Sequence, residues 1–341
     1  MFTESPHSAG FVVVTDFVEP GTGADLSDAI QRIIDTHPRR TIFFPDGEYV
    51  LAKPICTSAN PKNSVALQLA NFAVLKAADG WSHSEAIVRL GAAEPFNTIY
   101  EAGSNTYFTG GVVDGNGVAN GIAIESGRET SVRHTSIKHT LIGLHIKYGA
   151  NSGSSDADIE SVHIVGNNKK DSIGVLLEGY DNTLTNMRIA AVQTGVMLKS
   201  GGNFLRNIHP LFIFGDEYGG DTIDYADSVA FWDHNSTNWY DYCYSDQMAT
   251  GFRLSAVTKS VYLNCFAMWY SPKGGREIAF RADGAFNASV TNPRIHFRDD
   301  TENALLITGA DDGIGFIENP IADPARIADK TYEKYVTGRM R

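Results

Sequence analysis

The sequence predicts an all-β fold wound as a parallel β-helix, with a capping helix at its N-terminal end. Two observations predict it. One helical pattern occurs early and no convincing one follows, and the rest of the chain repeats a short-strand unit at intervals of about 21–22 residues. That interval suits one coil of three short strands and their corners. Glycine at 33 of 341 positions, with abundant Asn and Asp, supplies the turns such corners need.

Taken in order, Phe11-Val12-Val13-Val14 reads as a buried strand. Leu26, Ile30, Ile33 and Ile34 then share one helical face, with Asp25 or Ser27 placed to cap the helix and Pro38 to end it. Residues 41–50 read as a strand, a Pro45-Asp46-Gly47 turn and a second strand. Beyond these, Gly121-Ile122-Ala123-Ile124, Gly143-Leu144-His145-Ile146, Gly174-Val175-Leu176-Leu177, Gly195-Val196-Met197-Leu198, Val229-Ala230-Phe231-Trp232 and Gly251-Phe252-Arg253-Leu254 align, their first residues 22, 31, 21, 34 and 22 apart. A second strand recurs as Leu184-Thr185-Asn186-Met187, Leu205-Arg206-Asn207-Ile208 and Trp239-Tyr240-Asp241-Tyr242, with Cys243 and Cys265 stacked beyond it. Fainter coils are expected over 62–118 and 278–320. The chain thus divides into a cap and first coil (1–61), the β-helix (62–320) and a polar C-terminal tail or cap (321–341).

Composition narrows the partners. Forty acidic residues against 28 Lys and Arg leave a formal charge of −12, which disfavours nucleic acid and anionic membranes, since both select a basic face. Apolar residues at 43% suffice for a large core, so disorder is excluded. No run approaches about 18 apolar residues, and no transmembrane helix is expected. Met1-Phe2-Thr3-Glu4 lacks the basic and apolar regions of a signal peptide, so a cytoplasmic chain is expected, or a secreted one if a leader was removed. Three cysteines are too few for a disulfide framework. Gly115 and Gly117 are not followed by the third glycine and helix of a dinucleotide loop, and neither a phosphate-loop lysine motif nor a His-Glu-x-x-His zinc motif occurs. No cofactor and no metal is expected.

The segment Ala24-Asp25-Leu26-Ser27-Asp28-Ala29-Ile30-Gln31, followed by Ile42-Phe43-Phe44-Pro45-Asp46-Gly47-Glu48-Tyr49, resembles the N-terminal cap of the pectin-lyase-like superfamily. The resemblance implies a right-handed coil, a glycan as substrate or ligand and, as in many members, a homotrimer. Polysaccharide lyases, polygalacturonase-type hydrolases, fructan-transferring enzymes and phage tailspikes share this architecture, so fold alone leaves the family open. Residues 111–117 are similar to the early Asp-Gly turn of polygalacturonases, but that type's Gly-His-Gly is missing. Asp156, Asp158 and Glu160 cluster as pectate-lyase calcium ligands would, although alternation along a strand need not bring Asp158 and Glu160 together. Residues 171–178 are similar in layout to the acidic segment of inulin fructotransferases.

Alternation within the aligned strands places Val196, Leu198, Ala230, Trp232, Phe252 and Leu254 inward. One outward column is then Ala123, His145, Leu176, Met197, Phe231 and Arg253. The next is Glu125, Lys147, Glu178, Lys199, Asp233 and Ser255, with Arg281 continuing it. Glu178 and Asp233, two coils apart, are expected ~9–10 Å from one another with Lys199 between. That is near the upper end of the spacing an inverting glycosidase uses. Equally, alternating charges are what an exposed parallel sheet adopts to avoid like-charge stacking.

Insertions at about 166–171, 215–227 and 271–277 fall at one edge of this face, where loops wall a groove. The second is rich in acids, and Glu217 and Asp227 are the candidates to assist Glu178 and Asp233 in acid/base catalysis. Trp269, Tyr270, Lys273 and Arg276, with Lys199 and Arg253, are the candidate substrate contacts, since rings pack against sugar C–H faces and cations suit an anionic sugar. His209 is expected to be buried on the column of Cys243 and Cys265, and Asn186, Asn207 and Asp241 to form an internal polar stack. His234 is expected to be exposed at the end of its strand.

The expected function is cleavage or rearrangement of an oligo- or polysaccharide by a carboxylate pair. A uronate lyase with Lys199, Arg253 or Lys273 as base, and a non-catalytic tailspike-like glycan binder, are the alternatives.

Overall fold

The computed structural model describes residues 10–96, 106–148, 153–213, 223–234, 237–270, 276–298 and 303–340. It divides into two compact units, Met1–His163 and Ile164–Arg341. Each is a stack of parallel β-helix coils.

In the first unit the strand Phe11–Val13 pairs in parallel with Thr41–Phe44, and Val14–Asp16 adds one tight helical turn. The helix Ser27–Thr36 buries Ile30, Ile33 and Ile34, as its apolar spacing predicts. Leu26, rather than Asp25 or Ser27, stands at its N-cap. The Asp25 carboxylate instead accepts from the backbone N–H groups of Ser27 (2.9 Å) and Ala52 (3.0 Å). Gln31 ties the helix to the sheet end. Its amide accepts from the Cys56 N–H at 2.8 Å and donates to the Cys56 carbonyl at 3.0 Å. The helix thereby occupies edge groups that would otherwise pair with another chain. The coils continue in parallel along three faces, with Ile55–Ser58, Ala86–Glu94, Asn120–Ile124 and Ile142–Ile146 on one and Thr41–Phe44 and Gly47–Leu51 on the other two.

In the second unit the corresponding first sheet runs through Ile173–Leu177, Thr194–Leu198, Val229–Asp233, Thr250–Leu254, Ile278–Ala285 and Ala304–Ala310. The long strands Thr183–Ala190 and Phe204–Leu211 pair throughout. Later coils split them at a left-handed corner into Trp239–Asp241 and Tyr244–Asp246, then Val261–Leu263 and Phe266–Met268. Residues 321–340 fold onto the last coil, burying Ala322, Ile327, Tyr332 and Tyr335, and Val336–Thr337 pairs with Phe316–Glu318.

Register corrects three expectations. Phe231 pairs with Val196 and Asp233 with Leu198, so the coil at 229–233 is one residue out of the predicted phase. Ala230, not Val229, occupies the glycine position, where a Cβ on Gly195 would lie 2.5 Å from the Ala230 carbonyl oxygen. Because faces alternate with period two, the shift turns Trp232 outward and Asp233 inward. Corner positions are likewise displaced by one. Tyr242, not Asp241, takes the left-handed conformation shared by Asn186, Asn207 and Asn264. The stack is exposed rather than internal: Asn207 donates to Asn186 at 2.9 Å on the surface. Cys243 and Cys265 are both buried, but His209 faces outward at the register of Tyr244, on whose ring it stacks at 4.0 Å.

Candidate functional site

The outward face of the second unit's first sheet carries a cleft of about 330 Å³. Met197, Trp232, Arg253 and Arg281 form its floor, and Lys170, Asp171, Ala226 and Asp227 its edge.

The edge is held from below. Ser172, Gln193 and Ser228 occupy one register position on successive coils, since Thr194 N–H donates to Ser172 (3.0 Å) and Val229 N–H to Gln193 (3.1 Å). The Ser172 hydroxyl donates to the Lys169 carbonyl (2.6 Å) and accepts from Gln193 N–H (3.0 Å). The Ser228 hydroxyl donates to the Tyr225 carbonyl (2.7 Å) and accepts from Ala249 N–H (2.9 Å). Gln193 clasps the end of the longer loop through both backbone groups of Asp224, at 2.7 and 3.0 Å. Asp171 and Asp227 immediately precede the two serines, so these exposed carboxylates come from equivalent positions two coils apart. At about 4.8 Å per coil their backbones stand roughly 10 Å apart.

The floor combines a ring with cations. The Arg253 guanidinium lies 4.1 Å from the Trp232 ring centroid, and Asp283 holds both Arg253 (2.9 Å) and Arg281 (3.3 Å). The Trp232 indole N–H is buried without a hydrogen-bond partner among the described residues. His234 stacks on Trp232 at 4.4 Å. Burial lowers its imidazole pKa, and Lys199 and Arg253 add to the effect while Asp283 opposes it. The imidazole is therefore neutral at neutral pH.

The fold agrees with what the chain matches. A model of the family described as rhamnogalacturonase A/epimerase, pectate lyase-like, matches residues 11–210. The chain belongs to that family. Among solved structures, this member of the rhamnogalacturonase A/epimerase family is similar to the tailspike protein of E. coli bacteriophage HK620 in complex with a pentasaccharide, at 12% identity and a TM-score of 0.64, over 95% of this chain and 67% of that one. It is also similar to the catalytic domain of a GH87 α-1,3-glucanase in complex with nigerose, at 13% identity and a TM-score of 0.59 over 93% of this chain. The chain spans 60% of that glucanase structure. A third likeness is to PfbA, a surface adhesin of Streptococcus pneumoniae, at 11% identity and a TM-score of 0.51, covering 92% and 93%. No curated protein matches the chain.

Of the family member's expected site residues, Asp227 and Arg253 line the cleft. Glu178 and Lys199 pair at 3.2 Å on the same face, outside its lining. Asp233 is fully buried and cannot touch a ligand there. Its carboxylate accepts from Ser260 (2.6 Å), Tyr240 (3.0 Å) and Asn238 (3.2 Å). His234, half-buried rather than exposed, takes its place beside Lys199 and Ser255. Trp269 is also buried, donating to the Met248 carbonyl at 2.8 Å and stacking on Phe297. Tyr270 is exposed, but it belongs to a different face, against His296. Arg276 is paired with Asp329 at 2.9 Å. Glu217 and Lys273 lie outside the described residues. Asp158 and Glu160 both meet Arg133 while Asp156 pairs with Arg128, so the three acids do not gather at one point.

Sequence reasoning overlooked Asp171, Trp232 and Arg281 as site residues. The signal for Asp171 was present: Asp171-Ser172 and Asp227-Ser228 repeat the same pair at the end of two insertions.

Proposed function

We propose that this chain is a carbohydrate-active enzyme that cleaves a glycosidic bond in the cleft, with Asp171 and Asp227 as its carboxylate pair. One observation carries the reading: two exposed carboxylates stand at equivalent register positions, two coils apart, along the edge of a cleft floored by an aromatic ring. Their backbone separation of roughly 10 Å leaves room for a sugar and a water, as in inverting hydrolysis, where carboxyl groups stand about 6.5–9.5 Å apart. One carboxyl protonates the departing glycosidic oxygen while the other takes a proton from the attacking water. Trp232 packs against the sugar's C–H face, and Arg253 and Arg281 donate to its oxygens. The glucanase structure is a complex with nigerose and the tailspike structure a complex with a pentasaccharide, which supports a saccharide here as well. We extend the proposal to a homotrimeric assembly, which light scattering tests.

The deciding experiment screens pooled neutral and uronate-containing glycans by thin-layer chromatography and mass spectrometry, with and without chelator. A hydrated product that survives chelator is expected, and Asp171→Asn or Asp227→Asn should slow its formation at least about 100-fold. Glu178→Gln should leave the rate within a few-fold of the parent. An unsaturated, ultraviolet-absorbing product would replace this reading with the lyase. Binding without turnover would replace it with the glycan receptor.

A further inference from the structure

A second face of the same unit carries rings and cations that the cleft does not use. His209, Tyr244, Phe266 and Arg294 occupy one outward register position on successive coils. Their rings stack in sequence, His209 on Tyr244 at 4.0 Å and Tyr244 on Phe266 at 5.1 Å. At Arg294 the ring stack ends. Among the described residues this guanidinium has neither an ion pair nor a side-chain hydrogen bond. Beside it Tyr270, 59% exposed, leans on His296 with ring centroids 5.0 Å apart. An open cavity of about 540 Å³ lies among Phe266, Tyr270, Arg294 and His296 and is bordered by Ile321 and Asp323 of the C-terminal segment. That wall is fixed, because Ile295 N–H donates to the Ile321 carbonyl (2.8 Å) and Ile321 N–H to the Pro293 carbonyl (2.9 Å). The Asp323 carboxylate is already engaged, accepting from Ala325 N–H at 3.0 Å and pairing with Arg326 at 3.4 Å.

We propose that this cavity is a second, non-catalytic saccharide site, and that it takes a pyranose bearing a carboxylate. Tyr270, Phe266 and Ile321 offer apolar surface to the C–H face of a sugar ring. Arg294 offers a planar fork that matches a carboxylate with two parallel hydrogen bonds, and His296 a further donor. The single carboxylate in the cavity is tied to Arg326, so no acid/base pair is assembled and the site holds its ligand intact. The inference is independent of the chemistry in the cleft.

Calorimetry and saturation-transfer NMR on the full chain, with methyl glucuronoside and methyl glucoside as probes, test it. The acid should bind at least ten-fold more tightly than the neutral sugar. Arg294→Gln should abolish that preference, Tyr270→Ala should weaken both sugars, and Glu178→Gln, outside both sites, should change neither. Equal affinity for the two probes, no binding of either, or a preference that survives Arg294→Gln would overturn the proposal. So would loss of that preference in Trp232→Ala, which would place the ligand in the cleft. The altered residues are exposed or outward-facing, and unchanged thermal midpoints verify that each variant folds.

Discussion

Asp233 and its two neighbours illustrate how one side chain's surroundings decide its role. Trp232, an apolar residue, sits outward beneath the cleft, while Asp233 is buried among three donor side chains. Burial and then the Asp233 charge push the Tyr240 phenol well above its ordinary pKa, which keeps it a donor. Asp233→Ala leaves Tyr240, Ser260 and Asn238 short of an acceptor. Each buried group so stranded costs about 1–3 kcal/mol. A urea titration should therefore show Asp233→Ala losing roughly 3 kcal/mol or more, and losing more than Trp232→Ala. Equal losses would contradict the assigned register. His234 gives a pH test. Its folded pKa lies below the ordinary value of 6.5, so as pH falls through 6.5 the unfolded chain takes up a proton that the native chain resists. Its contribution to stability is full above that value and declines below it, levelling off under the folded pKa. The unfolding midpoint should fall between pH 7 and pH 5, and His234→Gln should reduce the fall.

At the scale of the element, the first sheet depends on a column of small residues. Gly174, Gly195, Ala230 and Gly251 stack where neighbouring coils leave no space for larger side chains, and a Cβ on Gly195 would meet the Ala230 carbonyl oxygen and Pro210, each at 2.5 Å. Gly195→Ala should cost about 1–3 kcal/mol in a denaturant titration, the usual penalty for overpacking a filled interior. A neutral result would mean that the coils separate more easily than this geometry allows. A second, buried ladder fixes the adjoining corner. Asn182 donates to Asn203 and Asn203 to Asn238 at 3.0 Å, and the Asn238 N–H ends on Ser260 at 2.8 Å. This ladder also brings Asn238 and Ser260 to Asp233, so the corner and the buried carboxylate stabilise one another. The capping helix works by the same hydrogen-bond logic, through Gln31 and the backbone of Cys56.

Across the whole molecule, much of the architecture was legible because a β-helix is repetitive and local. The interval of 21–22 residues, the buried face of Ile30, Ile33 and Ile34, and the Cys243–Cys265 stack each follow from spacing along the chain. The excess of acidic residues does not prevent local pairing, and Arg89, Glu125 and Lys147 alternate down the first unit with contacts of 2.8 Å. What spacing could not settle was phase across an insertion. Between the coils at 195 and 230 the interval is 35 residues, one more than the polarity of Trp232 and Asp233 invites, and a single residue exchanges inside for outside. Polarity misled because the groups that satisfy Asp233 come from 238, 240 and 260, residues brought to it only by the winding of the coils. Sequence alone therefore determined the period and the cap, since these depend on local pattern. Only the tertiary structure decided which acids face the cleft and which serve the core, because that depends on register and on donors distant along the chain.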